Sequence, residues 1–157
     1  MASKTKMKEK TGEKNLIGYC GLYCGDCYGY KGKIPDLARD LRKELKQAKL
    51  DERAGKMSTN SFFAAFKYYP QCYELLGTMV KLRCKKACRG DGGPPLCKIR
   101  ECCREKGLEG CWQCADFETC KTMDFLKNFH EEDAHLKNLR ILKKTGVESF
   151  LGGKRYW

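Results

Sequence analysis

Between Arg83 and Cys120 the chain places Cys84, Cys88, Cys97, Cys102, Cys103, Cys111, Cys114 and Cys120, eight of its 12 cysteines. The gaps are Cys-x3-Cys, Cys-x8-Cys, Cys-x4-Cys and Cys-x2-Cys-x5-Cys, short return distances that let several thiolates converge on one metal ion. A second cluster lies far upstream, Cys20-x3-Cys24-x2-Cys27, and can dock on the block, whereas Cys72 stands alone. A chain with this pattern has to fold around its sulfur.

The length of 157 residues suits one domain with a modest core that metal sites could supplement. So many cysteines would also suit a secreted disulfide scaffold. However, the lysine-rich stretch Met1 to Lys14 is not followed by an apolar run that could act as a signal or span a membrane. The expectation is a cytoplasmic chain, off the membrane, with thiols reduced or metal-bound. Its 32 Lys+Arg against 20 Asp+Glu give a formal charge of +12, a balance that points to nucleic acid or another acidic partner. Two dications, each held by four thiolates, would lower that to roughly +8.

Residues 1–14 mix Lys, Glu, Thr and Ser without apolar period and are expected to be a disordered basic tail, leaving 15–157 as a single cysteine-rich metal-binding domain. In the segment from Asn15 to Tyr30, Gly21 and Gly25 each follow a cysteine, where glycine lets amide groups turn toward sulfur in a metal knuckle. Ile34, Leu37, Leu41, Leu45 and Ala48 then mark the apolar face of a helix that Gly55 would end, with a solvated face of mixed charge opposite. Ser61 to Tyr69 reads as an aromatic helix ending near Pro70, its rings in the core, and Gln71 to Arg83 as a third helix with Cys72 as a small buried hydrophobe. Beyond the block, Thr122 to Phe129 and Asp133 to Lys144 carry further helical periodicity, with Gly146 at a C-cap position and Val147 to Leu151 adding a turn. The expected fold class is therefore mainly α: a small domain with irregular cysteine knuckles organised around bound metal.

Two Cys-x2-Cys knuckles, Cys24/Cys27 and Cys111/Cys114, favour metal over a thioredoxin-like redox pair, which needs a strand-to-helix setting that neither has. Cys20-x3-Cys24-x2-Cys27 also has the spacing of radical S-adenosylmethionine enzymes, but the chain is too short for their α/β barrel. An iron–sulfur cluster without that enzyme stays open, since thiolate-rich sites suit both zinc and iron–sulfur. His130 and His135 are expected in surface or capping roles, and no glycine loop fit to cradle phosphate appears. Adjacent residues in a helix or strand diverge, so one of Cys102 and Cys103 is spare, its thiol reactive beside Arg100 and Arg104 unless buried. The basic run Lys81, Arg83, Lys85, Lys86 and Arg89 either supports the thiolates or binds phosphate.

Tyr19-Cys-Gly-Leu-Tyr-Cys-Gly-Asp-Cys27, Cys97-Lys-Ile-Arg-Glu-Cys102, Lys106-Gly-Leu-Glu-Gly-Cys-Trp-Gln-Cys114 and Asn138-Leu-Arg-Ile-Leu-Lys-Lys-Thr-Gly-Val-Glu-Ser-Phe150 together resemble a family of small cysteine-rich bacterial and archaeal proteins catalogued as a domain of unknown function and taken to bind zinc. The resemblance runs from about Gly18 to Trp157. It implies that Cys20, Cys24, Cys27, Cys84, Cys88, Cys97, Cys102, Cys111, Cys114 and Cys120 occupy the family's cysteine positions. Cys103 falls where such proteins often have a small residue, and Thr119-Cys120 stands where they often have Pro-Cys. No activity comes with it.

The expectation is a metalloprotein with two zinc ions that serves as an interaction or regulatory module for another protein; no side chain is expected to carry hydrolysis or group transfer, and the question of enzyme activity stays open. An iron–sulfur protein for electron transfer or redox sensing is the first alternative and a nucleic-acid-binding module the second. Loop closure favours a local site of Cys84, Cys88, Cys97 and Cys102, with Cys24/Cys27 and Cys111/Cys114 forming the other.

Overall fold

The computed structural model describes residues 12–131 and 133–157. The tail expected over 1–14 therefore lies, up to residue 11, outside the described residues; residues 12–14 are helical. The α-helices are α1 (Ile34–Gln47), α2 (Leu50–Met57), α3 (Tyr69–Lys81), α4 (Lys98–Glu105) and α5 (Ala134–Gly152), joined by several 3-10 turns. Among the described residues the extended pairing is a single isolated bridge, Ile17 with Tyr23. The protein is mainly helical, as the periodicities predict. No helix among the described residues is long and apolar enough to cross a membrane.

The chain divides into two compact units: Gly32–Arg83, and Cys84–Trp157 together with the described residues up to Lys31. In the first, one expected helix is two. Ala48 closes α1 on the Glu44 carbonyl, Lys49 takes a left-handed φ of 50°, and the chain turns into α2, with Gly55 inside α2 instead of at its end. Pro70 sits in the first turn of α3, where its missing N–H deprives the helix of nothing, so it opens that helix and does not close the aromatic one. The aromatic segment Ser61–Tyr68 is a 3-10 run, started by Asn60, whose side chain accepts from the Phe62 amide at 2.9 Å.

Burial in this unit departs from the apolar pattern. Pro35 and Ala38 are the buried residues of α1, with Arg42 and Leu45 half-buried, a set one residue out of step with Ile34, Leu37 and Leu41, which stay exposed. Small side chains at 35 and 38 allow close helix approach, so they and not the leucines take the inner face. Across from them, Arg42 lies 4.3 Å from the Tyr73 ring centre, over Gly77, where an added Cβ would stand 3.1 Å from the guanidinium. Phe62 (86% exposed), Phe63 and Tyr68 also face solvent, and of the predicted aromatic core only Tyr69 is buried. Cys72 is exposed, contrary to its reading as a buried hydrophobe. Three short helices of about this length have too little interior to cover so many rings.

The second unit holds the contiguous core. Ile17, Met123, Leu139 and Phe150 are fully buried in one cluster with Ile99, Trp112 and Phe117. α5 supplies Leu136, Leu139 and Leu142 on the face the sequence predicts, and continues past Gly146 (φ 80°, ψ 174°) as a kinked second segment that buries Phe150. His135 is also inside, 1% exposed, and not on the surface as expected; its Nδ1 has no hydrogen-bond partner. The C-terminal residues return along α5. Fully buried Asn138 donates to the Tyr156 carbonyl at 2.8 Å and accepts from the Tyr156 amide at 3.0 Å, which fixes their register.

Candidate metal centre

The first cysteine cluster is shaped by a tight loop. The Gly18 amide donates to the Leu22 carbonyl (2.8 Å) and the Cys24 amide to Leu16 (2.7 Å), so the chain doubles back within six residues and lifts Cys20 on its tip. Gly21 makes the turn at φ 84°, and a Cβ there would meet Leu139 at 2.9 Å; both facts require glycine, and the second seats the loop on α5. A 3-10 turn, Cys24–Asp26, follows, closed by the Cys27 amide on the Cys24 carbonyl (3.2 Å). The C-terminal knuckle repeats this device: Cys111–Gln113 is a 3-10 turn closed by the Cys114 amide on the Cys111 carbonyl at 2.9 Å.

Backbone amides point at sulfur around the first knuckle. Gly29 donates to Cys27 Sγ at 3.2 Å, and Cys88 donates to Cys24 Sγ at 3.4 Å. The Cys84 amide reaches the Gly29 carbonyl at 2.9 Å, bringing the start of the cysteine block beside the same turn. Burial pushes the Cys24 thiol up to about 11, and the neighbouring sulfurs of Cys88, Cys27 and Cys84 push in the same direction, against the lowering effect of the Cys88 amide. Cys24, Cys27, Cys84 and Cys88 are thus brought together. Cys20 is pushed up to about 12, chiefly by burial and then by the sulfurs of Cys88, Cys97 and Cys24.

Farther along, Cys111 is tied to the N-terminal loop by its amide on the Tyr19 carbonyl at 2.8 Å, and its sulfur lies 3.6 Å from that of Cys103. The Cys111 thiol is raised, first by its hydrogen bond with Cys103, then by burial and by the sulfurs of Cys103, Cys20 and Cys120. The Lys106 ammonium is held above its ordinary value by the thiolate charge of Cys102 first and then of Cys114. Cys24 and Cys27 therefore lie near Cys84 and Cys88, while the Cys88 thiol is raised by burial first and also by the sulfur of Cys97, its companion in the grouping that loop closure favours. Among the described residues no three His, Cys, Asp or Glu side chains stand together in a geometry that could hold a metal ion.

The arginines do the bracing, and sequence reasoning missed most of this. Buried Arg100 donates to the carbonyls of Cys88 (3.3 Å), Gly92 (2.7 Å) and Pro94 (3.3 Å), which folds the glycine-proline loop between Cys88 and Cys97 around one guanidinium. Within that loop Gly92 has no room for a Cβ, which would fall 1.6 Å from the Lys86 carbonyl oxygen. Arg89 donates to the Ile17 carbonyl at 2.9 Å and the Glu109 carbonyl at 2.6 Å, with the Tyr19 ring 4.8 Å from its guanidinium carbon. Arg104 pairs with Asp91 at 2.8 Å. Arg155 pairs with Asp26, inside the first knuckle, at 2.8 Å. Of the basic run, Arg89 is committed to carbonyls and Lys85 and Lys86 are exposed. The arginine-rich spacing around the cysteines was the available signal, but nothing in a single sequence says which carbonyls a guanidinium will gather.

A protein-family model described as "Protein of unknown function (DUF3795)" matches residues 16–125, well over half of the chain. The match takes in every cysteine and stops short of α5, so the motif Asn138 to Phe150 lies beyond it. No curated protein and no solved structure matches the chain.

Proposed function

The chain belongs to that family of proteins of unknown function, and on this premise we propose that it is a metal-binding protein whose thiolates hold zinc, with a role in interaction or regulation and not in catalysis. The observation that carries the reading is the pair of amides aimed at Cys24 and Cys27 sulfur, at 3.4 and 3.2 Å, in a turn beside which Cys84 and Cys88 are set from the middle of the chain. Amides directed at sulfur stabilise thiolate over thiol, and a Cys-x2-Cys beside a Cys-x3-Cys supplies the four soft donors that tetrahedral zinc takes, which would draw in around the ion from positions that do not yet form a coordinating group. The crowding of the sulfurs fits as well: thiolates that repel one another ionise together only beside a cation. Cys24, Cys27, Cys84 and Cys88 would hold one ion. The second draws on Cys20, Cys97, Cys102, Cys111, Cys114 and Cys120. A bound dication would supply charge neutralisation and a cross-link between the N-terminal loop and the cysteine block.

The interaction role falls to Gly32–Arg83, whose exposed Leu37, Leu41 and Phe62 offer apolar surface to a protein partner in a cytoplasmic setting. Metal analysis of protein purified without air tests the reading. About two equivalents of zinc are expected, with Cys24→Ser and Cys84→Ser each removing the same one. Brown protein with iron and acid-labile sulfide would establish the iron–sulfur alternative instead. Loss of different equivalents in the two variants would break the four-cysteine grouping.

A further inference from the structure

Cys103 has no place among the ten candidate ligands, yet it is the most deeply buried cysteine of the chain, 2% exposed, and its sulfur touches that of Cys111, 8% exposed, at 3.6 Å. The two come from different elements: Cys103 from the inner face of α4, and Cys111 from the first residue of the following 3-10 turn. Seven residues separate them, and both ends of that connection are pinned. The Leu108 amide closes on the Cys103 carbonyl at 2.8 Å, and the Cys111 amide on Tyr19 at 2.8 Å. Between the pins, Gly107 at φ 63° gives the chain its freedom to yield. A disulfide needs sulfurs about 2.0 Å apart, so closure asks for a shift of roughly 1.6 Å, within reach of a rotamer change and a small loop adjustment.

We propose that Cys103 and Cys111 are a redox pair that closes to a disulfide under a hydroperoxide, and that closure withdraws Cys111 from the metal-binding thiolates. Both sulfurs are buried and shielded while the connection is closed, so attack follows local opening of the turn at Gly107: one thiolate then attacks the peroxide, the O–O bond breaks, and water or an alcohol leaves while the sulfur becomes a sulfenic acid. The second sulfur then displaces the hydroxyl as water and forms the S–S bond. Two thiols and one hydroperoxide give one disulfide, one alcohol or water, and one further water, and the two electrons end on the peroxide oxygens. The consequence for the metal follows from sulfur's valence: a sulfur in a disulfide no longer offers the thiolate that zinc requires. Cys103, which the metal reading leaves over, thereby becomes the group through which oxidation reaches the site. This consequence rests on the zinc reading above, whereas the disulfide itself does not.

The test is peptide mapping of the whole protein after one equivalent of hydrogen peroxide, with released zinc read by a coloured chelator. The expected result is a Cys103–Cys111 cross-linked peptide with loss of about one metal equivalent. Cys103→Ser is expected to keep its full metal content and to release none at the same dose. Disulfides formed only between other cysteines would overturn the pairing, and this readout needs no variant to fold. A Cys103→Ser protein purified one equivalent short of metal would make Cys103 a ligand and overturn its role as the resolving thiol. Should the protein carry no metal at all, the zinc reading fails while the mapped cross-link still decides the redox pair.

Discussion

The two compact units spend their apolar residues in opposite ways. The cysteine-bearing unit buries Ile17, Met123, Leu139 and Phe150 completely and encloses even the polar His135 and Asn138. The helical unit Gly32–Arg83 buries little beyond Pro35, Ala38, Ala54 and Tyr69, and leaves Ile34, Leu37 (63% exposed), Leu41, Phe62 and Leu75 facing solvent. Yet the helical unit has the more regular apolar periodicity. Periodicity says that a segment will be helical and has a greasy side; whether that side is covered depends on how much chain is available to cover it. The unit with irregular backbone and many cysteines is the one with the interior.

The largest test of this contrast is metal removal under reducing conditions. Structural zinc contributes apparent binding energies on the order of 10 kcal/mol to small domains. Chelation is expected to loosen Tyr19 to Cys27 and Cys84 to Cys120 together while leaving α1 and α3 protected, as amide exchange would report. Equal loss of protection in both units would mean that they do not fold separately. Next comes Phe150→Ala, which empties a fully buried site on the kinked end of α5 and is expected to cost about 3–5 kcal/mol in denaturant unfolding.

A smaller effect concerns pH. Burial holds the His135 imidazole below its ordinary value of 6.5, so folding favours the neutral ring. Stability from this source is fully present above 6.5 and is lost as pH falls through the lowered folded value, because the unfolded chain then binds the proton more readily. Thermal unfolding between pH 7 and pH 4.5 is expected to show a fall that is shallower in His135→Gln. The smallest effect is assigned to the helical unit: Leu37→Ser or Phe62→Ser should change stability by no more than about 0.5 kcal/mol. A loss several times larger would show that these side chains are covered in solution.

Much of the fold was legible because its signals are local. The α5 face of Leu136, Leu139 and Leu142, the absence of strand alternation and the two Cys-x2-Cys turns all follow from spacing along a few residues. Of the candidate site the two knuckle turns were legible, and which sulfurs neighbour one another across the chain was not. Short loops make Cys84, Cys88, Cys97 and Cys102 the least costly closure, but the Cys84 and Cys88 amides meet Gly29 and Cys24 across more than fifty residues. Once α5 and the core have brought those segments together, the entropy of closing the loop has already been met by the rest of the fold.

The amino-acid sequence by itself determined that the chain would be helical, rich in turns that present sulfur, and a member of the family its motifs resemble. It also set Gly21 at a turn, where φ is 84°, whereas Gly25, expected in the same role, lies in the 3-10 turn Cys24–Asp26 without a positive φ. Tertiary structure alone decided that Cys24 faces Cys88, that Cys103 touches Cys111, and that Arg100 gathers three carbonyls of one loop. It decided too that Pro35 and Ala38, not Leu37 and Leu41, form the inner side of α1. These are contacts between segments distant in sequence, and they depend on the summed packing of the chain: local pattern limits which faces are available, and only the assembled volume selects among them.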